Sequence, residues 1–139
     1  MPAVATIVSH AKHVMRVLGT GHSERVYHKS LATSLSRSRF GVRSEVVTPI
    51  LFMGECVGFG RADLIVDNRL CVEIKANARR PAAASGQLKK YLDSLRGVER
   101  SECAGLVLNF NQSSGEVEFL AVAPRVKRSR FFGASSDKA

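Results

Sequence analysis

The sequence contains no long hydrophobic run. No segment approaches the ~20 consecutive apolar residues that a membrane-spanning helix needs, and the N-terminus lacks the apolar core and cleavage site of a signal peptide. These two absences argue against a membrane protein and against a secreted one. They predict an intracellular protein, without separating the cytoplasm, the nucleus and a viral particle.

Cysteine is also scarce. The three cysteines, Cys56, Cys71 and Cys103, are odd in number and form no Cys-x-x-Cys pair. Neither a disulfide framework nor a zinc site is therefore indicated. Cys71 and Cys103 fall in predicted strands, where we expect them to be buried as small hydrophobic residues.

Acidic residues are few relative to basic ones. The chain has 139 residues, a length that suits one compact domain, with 21 Lys and Arg against 12 Asp and Glu. The net charge is +9 and the sequence pI is near 10.1. Such an excess favours an anionic partner, most commonly nucleic acid. Charge alone does not separate an enzyme from a passive binding protein.

The most informative segment is the predicted hairpin over residues 61–75. A three-residue turn at Asp67-Asn68-Arg69 would centre this hairpin on Asn68 and place Asp63 opposite Glu73. Side chains two positions apart in a strand share a face. One face is predicted to be apolar and the other to carry the charged residues. The apolar positions are Ala62, Leu64, Val66, Val72, Ile74 and Ala76.

This register would bring two carboxylates together. Directly opposed residues have Cβ atoms roughly 4.5–5.5 Å apart, and carboxylates that close repel unless a positive charge lies between them. Magnesium takes oxygen ligands and often uses one or two protein carboxylates. Lys75 adds an ammonium beside Asp63 and Glu73. The alternative is a structural ion-pair cluster on a solvated hairpin.

Periodicity and turn signals divide the chain into eight elements. Helices are predicted over residues 2–18, 23–37 and 81–95, and strands over residues 42–52, 56–66, 70–76, 104–110 and 116–122. The order ααβββαββ predicts a layered α/β (α+β) fold with a mixed sheet flanked by helices. The first and third helices are expected to cover the hairpin. Residues 1–123 form one predicted domain, and residues 124–139 a basic, flexible tail.

Several segments, taken in order, resemble the GxxExxY proteins, a branch of the PD-(D/E)xK nuclease superfamily. The matching segments are Gly21-x-x-Glu24-x-x-Tyr27, Glu45 and Pro49, Gly58, Arg61-Ala62-Asp63, Glu73-Ile74-Lys75, Gln87-Leu88-Lys89-Lys90-Tyr91-Leu92 and Gly105-Leu106-Val107-Leu108-Asn109-Phe110. The resemblance covers roughly residues 10–122. Two departures are Ala84-Ser85-Gly86, where family members often carry a histidine just before the glutamine, and the loop from Asn77 to Arg80, which is more basic than usual. The proline of the superfamily's label is also absent, since Ala62 precedes Asp63, at a position that varies in the superfamily.

The resemblance implies a restriction-endonuclease-like core and a set of site residues. The implied catalytic residues are Glu24, Asp63, Glu73, Lys75 and Gln87. Among them, Asp63, Glu73 and Glu24 would hold Mg²⁺ or Mn²⁺, and Lys75 would orient the attacking water or stabilise the transition state. The residues expected to contact the nucleic-acid backbone are Arg61, Arg79, Arg80, Lys89 and Lys90.

Three functions remain open from the sequence. The first is a magnesium-dependent nuclease, with DNA favoured over RNA as its substrate. The second is a catalytically inactive DNA- or chromatin-binding protein on the same scaffold. The third is a module whose basic surface binds an acidic protein. A chain of this size has little room for a recognition domain, which suggests weak sequence specificity, a homodimer or a guiding protein partner.

Overall fold

The computed structural model describes residues 2–79 and 104–122. The elements in these ranges are α1 (Val4–Leu18), α2 (Glu24–Arg37), β1 (Val42–Phe52), β2 (Glu55–Val66), β3 (Leu70–Lys75), β4 (Ala104–Phe110) and β5 (Val117–Val122). The predicted order of helices and strands is confirmed across them. The predicted third helix and the basic tail lie outside the described residues.

The five strands form one mixed sheet in the order β1-β2-β3-β4-β5. Neighbouring strands are antiparallel except β3 and β4, which are parallel. A parallel pair needs a crossover connection of roughly a dozen residues or more, and the predicted third helix falls within that connection. The mixed sheet inferred from the sequence is therefore confirmed.

Helices α1 and α2 pack on one face of the sheet through amphipathic stripes. In α2, the Ser23 side chain caps the first turn by accepting from the Val26 N–H, and Tyr27, Leu31 and Leu35 are buried. Helix α2 packs against β1, β2 and β3, whereas α1 packs against β4 and β5. The expectation that the first helix covers the β2–β3 hairpin is thus corrected, because α2 takes that place. Of these two helices, neither is long and apolar enough to span a membrane.

The turn between β2 and β3 sets the register of the hairpin. Asp67 and Asn68 both adopt positive φ, 52° and 58°, and the Arg69 N–H donates to the Val66 carbonyl at 3.0 Å. Two consecutive residues of positive φ define a type I′ turn, which favours Asn and Asp. The ladder pairs Val66 with Leu70, so the predicted centre at Asn68 is confirmed.

An irregularity at Glu45 alters the apolar face predicted for β2. Glu45 has φ 54° and forms no ladder pair, while its neighbours in β1 pair on either side of Asp63. Leu64 and Val66 belong to the main core beneath the helices. Ala62 instead lies with Ile65 in a second buried cluster that also contains Cys71 and Val107. The prediction that Ala62 shares a face with Leu64 is therefore wrong.

Strands β1 and β2 extend beyond the sheet as a two-stranded ribbon, residues 47–61, which we call the arm. Strand β3 pairs with β2 only from Leu64 to Val66, so the two strands of the arm pair with each other alone among the described residues. The arm exposes large hydrophobic side chains to solvent. They are Val47, Ile50, Leu51, Phe52, Met53, Val57 and Phe59.

Candidate active site

The β2–β3 hairpin brings Asp63 to the end of β3. The β2–β3 ladder ends at the pair Leu64 and Val72, next to Asp63 and Glu73. The Ile74 N–H donates to Asp63 Oδ2 at 2.7 Å. One carboxylate oxygen of Asp63 is therefore fixed to the backbone between Glu73 and Lys75.

Glu73 and Lys75 form an ion pair on β3. The distance from Lys75 Nζ to Glu73 Oε2 is 3.2 Å, and the side chains are only 22% and 14% exposed, respectively. Val72 and Ile74 are fully buried in the core beneath the helices. Because side chains alternate along a strand, Glu73 and Lys75 lie on the opposite face of the sheet. The pair is well shielded from water and held by a regular strand.

The environment of Glu73 disfavours its charged form. Burial raises the pKa of the Glu73 carboxyl most, and the negative charge of Asp63 raises it further, while Lys75 acts in the opposite direction. The charge of Glu24 also raises this pKa. Three acidic side chains therefore act on one another at this point, a local excess of negative charge that a cation would relieve.

The turn that leads into Glu24, before α2, is anchored to the sheet. The Gly21 N–H donates to Gln112 Oε1 at 2.6 Å. The Tyr27 hydroxyl donates to the Gly19 carbonyl at 2.7 Å and accepts from Gln112 Nε2 at 3.1 Å. The glycine and the tyrosine of the Gly-x-x-Glu-x-x-Tyr motif thus fasten both sides of Glu24 to one glutamine.

The Tyr27 ring strengthens this attachment. It is fully buried and stacks on Phe110, with ring centroids 4.5 Å apart and an interplanar angle of 12°. Gln112 also donates to the Phe110 carbonyl at 2.9 Å. The sequence did not point to Gln112, because its contacts with Gly21 and Tyr27 span 91 and 85 positions. No local pattern signals a contact of that range.

Asn109 holds the segment that follows Lys75. It pairs with Lys75 in the parallel ladder and is 2% exposed. Its Oδ1 accepts from the Asn77 N–H at 2.9 Å, and its Nδ2 donates to Glu118 Oε1 at 3.0 Å and to the Asn77 and Arg79 carbonyls at 3.3 Å. This buried amide is a second contributor to the site that sequence patterns did not assign.

The residues expected to contact nucleic acid are only partly described. Arg61 on β2 and Arg79 after β3 are exposed, and neither forms an ion pair with another described residue. Arg80, Gln87, Lys89 and Lys90 lie outside the described residues. The binding roles of these side chains, and the catalytic role of Gln87, stay predictions.

The donor chemistry of the site fits magnesium better than a closed zinc site. Within residues 2–79 and 104–122, no three His, Cys, Asp or Glu side chains form a cluster that could hold a metal ion. Magnesium usually takes one or two protein carboxylates and completes its shell with water and phosphate oxygens. Asp63 and Glu73 supply such a pair, with Glu24 near enough for its charge to act on Glu73.

Comparisons with known proteins place this arrangement in a superfamily. The crystal structure of SSO0001 has a similar fold, with a TM-score of 0.52 and 18% sequence identity over 76% of this chain. That match spans 52% of SSO0001, about half its length. No curated protein matches the chain. The family profile described as the PD-(D/E)XK nuclease superfamily matches residues 2–121, which leaves the GxxExxY branch a prediction. By this match the chain belongs to the PD-(D/E)XK nuclease superfamily.

Proposed function

We propose that the chain is a divalent-metal-dependent nuclease that hydrolyses phosphodiester bonds of DNA. The observation that carries the proposal is the environment of the Glu73 carboxyl. This carboxyl is partly buried beside Asp63, within the influence of Glu24, and paired with Lys75 at 3.2 Å. Membership of a nuclease superfamily supports the reaction class. Buried groups with perturbed pKa values are concentrated at functional sites.

The proposed roles follow from where each side chain is held. Asp63 and Glu73 would bind Mg²⁺ or Mn²⁺. The bound metal would supply a water of lowered pKa and polarise the scissile phosphate. Asp63 is oriented by the Ile74 N–H, so its carboxylate is fixed before substrate arrives. Lys75 presents an ammonium, a compact charge suited to stabilising a developing oxyanion.

Glu24 has a separate proposed role. It begins α2, and its turn is tied to β4 and β5 through Tyr27 and Gln112. From there its carboxylate would accept hydrogen bonds from water in the metal's outer shell. A negative charge in the first turn is also favoured by the helix dipole, so the position costs the helix nothing.

The experiment is a cleavage assay on supercoiled, linear and single-stranded DNA and on RNA. We expect cleavage that requires magnesium or manganese, and a loss of about 100-fold or more in Asp63→Asn and in Lys75→Ala, as for removal of other electrostatic catalytic groups. The matched control is Glu55→Gln, because Glu55 is an exposed carboxylate on the same strand as Asp63. Its activity should equal that of the wild type.

Two results would reject the proposal. One is cleavage that persists undiminished in carefully purified Asp63→Asn protein, since this would place the activity elsewhere. The other is an absence of cleavage together with salt-sensitive DNA binding that ignores magnesium and Asp63→Asn. The second result would instead establish the inactive DNA-binding scaffold, which the net charge of +9 also fits. The same substrate panel decides between DNA and RNA.

A further inference from the structure

The positive charge of the described chain is concentrated on its helical layer. Residues 2–41 contain six Lys and Arg and a single acidic residue, Glu24. Residues 42–79 contain five of each sign, and residues 104–122 contain two Glu and no Lys or Arg. The strands are therefore neutral or slightly acidic. The basic surface belongs to α1 and α2, which the proposed reaction does not use apart from Glu24.

The two helices enclose an open groove on their solvent side. Its volume is about 880 Å³. Its lining includes the cations Arg16, Lys29 and Arg37, the hydroxyls of Ser30, Thr33 and Ser34, and the apolar Val14, Val17 and Leu18. No acidic side chain is among its lining residues. Ammonium, guanidinium and hydroxyl groups are the ones that bind phosphate oxygens in nucleic-acid complexes.

The basic residues of α2 follow a stripe. Arg25, Lys29, Thr33 and Arg37 are spaced four apart, so each lies one turn from the next. Each also lies two positions from a member of the buried stripe that begins at Tyr27, which places the basic stripe on the opposite, solvent-facing side of the helix. Arg25 and Lys29 are like charges four apart, a spacing that disfavours an isolated helix. Arg37 lies in the last turn, where the helix dipole favours positive charge.

The cations that line the groove are Arg16, Lys29 and Arg37. Arg25 lies outside the groove and pairs with Glu45 at 3.7 Å. Lys29, Arg37 and Arg16 form no ion pair with any residue in the described ranges. Their positive charges are not neutralised by neighbouring side chains, and an anion entering the groove would meet them directly.

We infer that the α1–α2 groove binds the phosphate backbone of the nucleic acid that the site at Asp63 and Glu73 cleaves. The groove's basic residues on α2 extend from Lys29 to Arg37, about 12 Å along the helix at ~1.5 Å per residue. That length matches roughly three to four base pairs of duplex at about 3.4 Å each. The inference rests on the proposed function and extends it, because it assigns a second, sequence-independent contact away from the scissile bond.

The test is DNA binding by Lys29→Gln/Arg37→Gln, measured by fluorescence anisotropy without divalent metal. The matched control is Arg43→Gln/Arg69→Gln, which removes the same charge from two exposed arginines outside the groove. Each neutralised phosphate contributes a slope of about −0.9 to log K against log salt. We expect the groove variant to bind about tenfold more weakly and to lose nearly two units of slope, with a much smaller change in the control.

A length series separates the groove from the catalytic site. The wild type and the groove variant should cleave a duplex of about six base pairs equally, because it is too short to contact the groove and the catalytic site at once. A duplex of about 20 base pairs should be cleaved faster by the wild type at low substrate concentration. Thermal melting checks that each variant is folded. We expect unchanged melting temperatures, because the substituted side chains are exposed.

The outcomes are distinguishable from failure of the proposed function. Binding is measured without metal, so a loss confined to the groove variant supports the inference even if no cleavage occurs. Cleavage by the wild type with unchanged binding in the groove variant keeps the nuclease and overturns the groove. Equal losses in both variants also overturn it, since only net charge would then matter. If the groove variant lost binding to poly-glutamate but kept binding to DNA, the groove would be assigned to an acidic protein partner and the inference overturned.

Discussion

At the scale of single residues, the Glu73 carboxyl is subject to opposing effects on its pKa. Burial and the neighbouring charge of Asp63 raise the pKa of its carboxyl, and Lys75 acts against them. Burial and the charge of Asp63 therefore disfavour the ionised form of the Glu73 carboxyl and raise its pKa. A divalent cation that bound the Glu73 carboxyl would keep it deprotonated.

The raised pKa of Glu73 has a consequence for stability. An acid whose pKa is higher in the folded state binds more protons there than when unfolded, so its contribution to stability is present below the unfolded pKa and is lost as pH rises through the folded pKa. We expect Glu73→Gln, in the absence of metal, to raise the melting temperature at neutral pH. The gain should vanish at a pH below the ordinary pKa of glutamate.

Melting curves across this pH range, with Glu55→Gln as the control, measure the effect. Glu55 is exposed at the start of β2, so its replacement should change the melting temperature little at any pH. A Glu73→Gln protein that is less stable than the wild type at neutral pH would contradict the prediction. The ion pair with Lys75 would then outweigh burial and the repulsion from Asp63.

How far the sequence predicts the site depends on the range of each contact. The centre of the β2–β3 hairpin at Asn68 was predictable, because the turn at Asp67 and Asn68 demands positive φ that these residue types accept. Gln112 was not, since its role exists only once β4 and β5 lie beside the turn before α2. The position of Ala62 was also missed, because strict alternation fails beside the irregular Glu45.

At the scale of elements, α2 links the core to the site. Its buried stripe packs on β1, β2 and β3, and its first residue is Glu24. Tyr27 anchors the helix through contacts with Phe110 and Gln112. The apolar periodicity of both helices was visible in the sequence. Which strands each helix would cover was not, because an amphipathic stripe reports that a face is buried and not what buries it.

The arm should be the least protected part of the described sheet. A two-stranded hairpin is marginally stable in water without further strands or a helix, and the arm pairs only with itself among the described residues. We expect amide hydrogen exchange at residues 47–61 to be at least tenfold faster than in β4, which pairs on both sides. The free energy of local opening sets this difference.

Exchange measured by NMR or mass spectrometry resolves the arm from β4. Leu106 and Leu108, both fully buried, serve as the internal reference. Equal protection of the arm would show that its exposed side chains, such as Phe52 and Met53, are covered in solution. Large exposed apolar patches commonly mark interaction sites, so such a result would identify the arm as an interface.

At the scale of the whole molecule, the two layers carry different properties. The sheet holds the carboxylates of Asp63 and Glu73, while the helical layer carries a net positive charge. In the proposed function, the helical layer would attract a polyanion over long distances, and the carboxylates would attract a divalent cation over short distances. The family profile establishes the superfamily. It does not establish activity, which in the proposed function needs both nucleic-acid binding and metal binding.

Metal binding should therefore be visible as a change in the stability of the whole protein. A ligand that binds only the folded state stabilises it by about 2.7 kcal/mol at 100 times its Kd, which corresponds to several degrees in the melting temperature of a domain this size. We expect magnesium or manganese to raise the melting temperature of the wild type. Asp63→Asn should abolish this shift, because it removes a proposed ligand.

Lys75→Ala makes this measurement decisive. Lys75 contacts Glu73 but is not a proposed metal ligand, so its replacement should keep or enlarge the metal-induced shift while abolishing cleavage. Potassium chloride at matched ionic strength controls for screening. A shift that survives Asp63→Asn would place the metal elsewhere in the chain. A shift absent from the wild type, together with no cleavage, would show that the carboxylates of Asp63 and Glu73 do not serve metal-dependent catalysis.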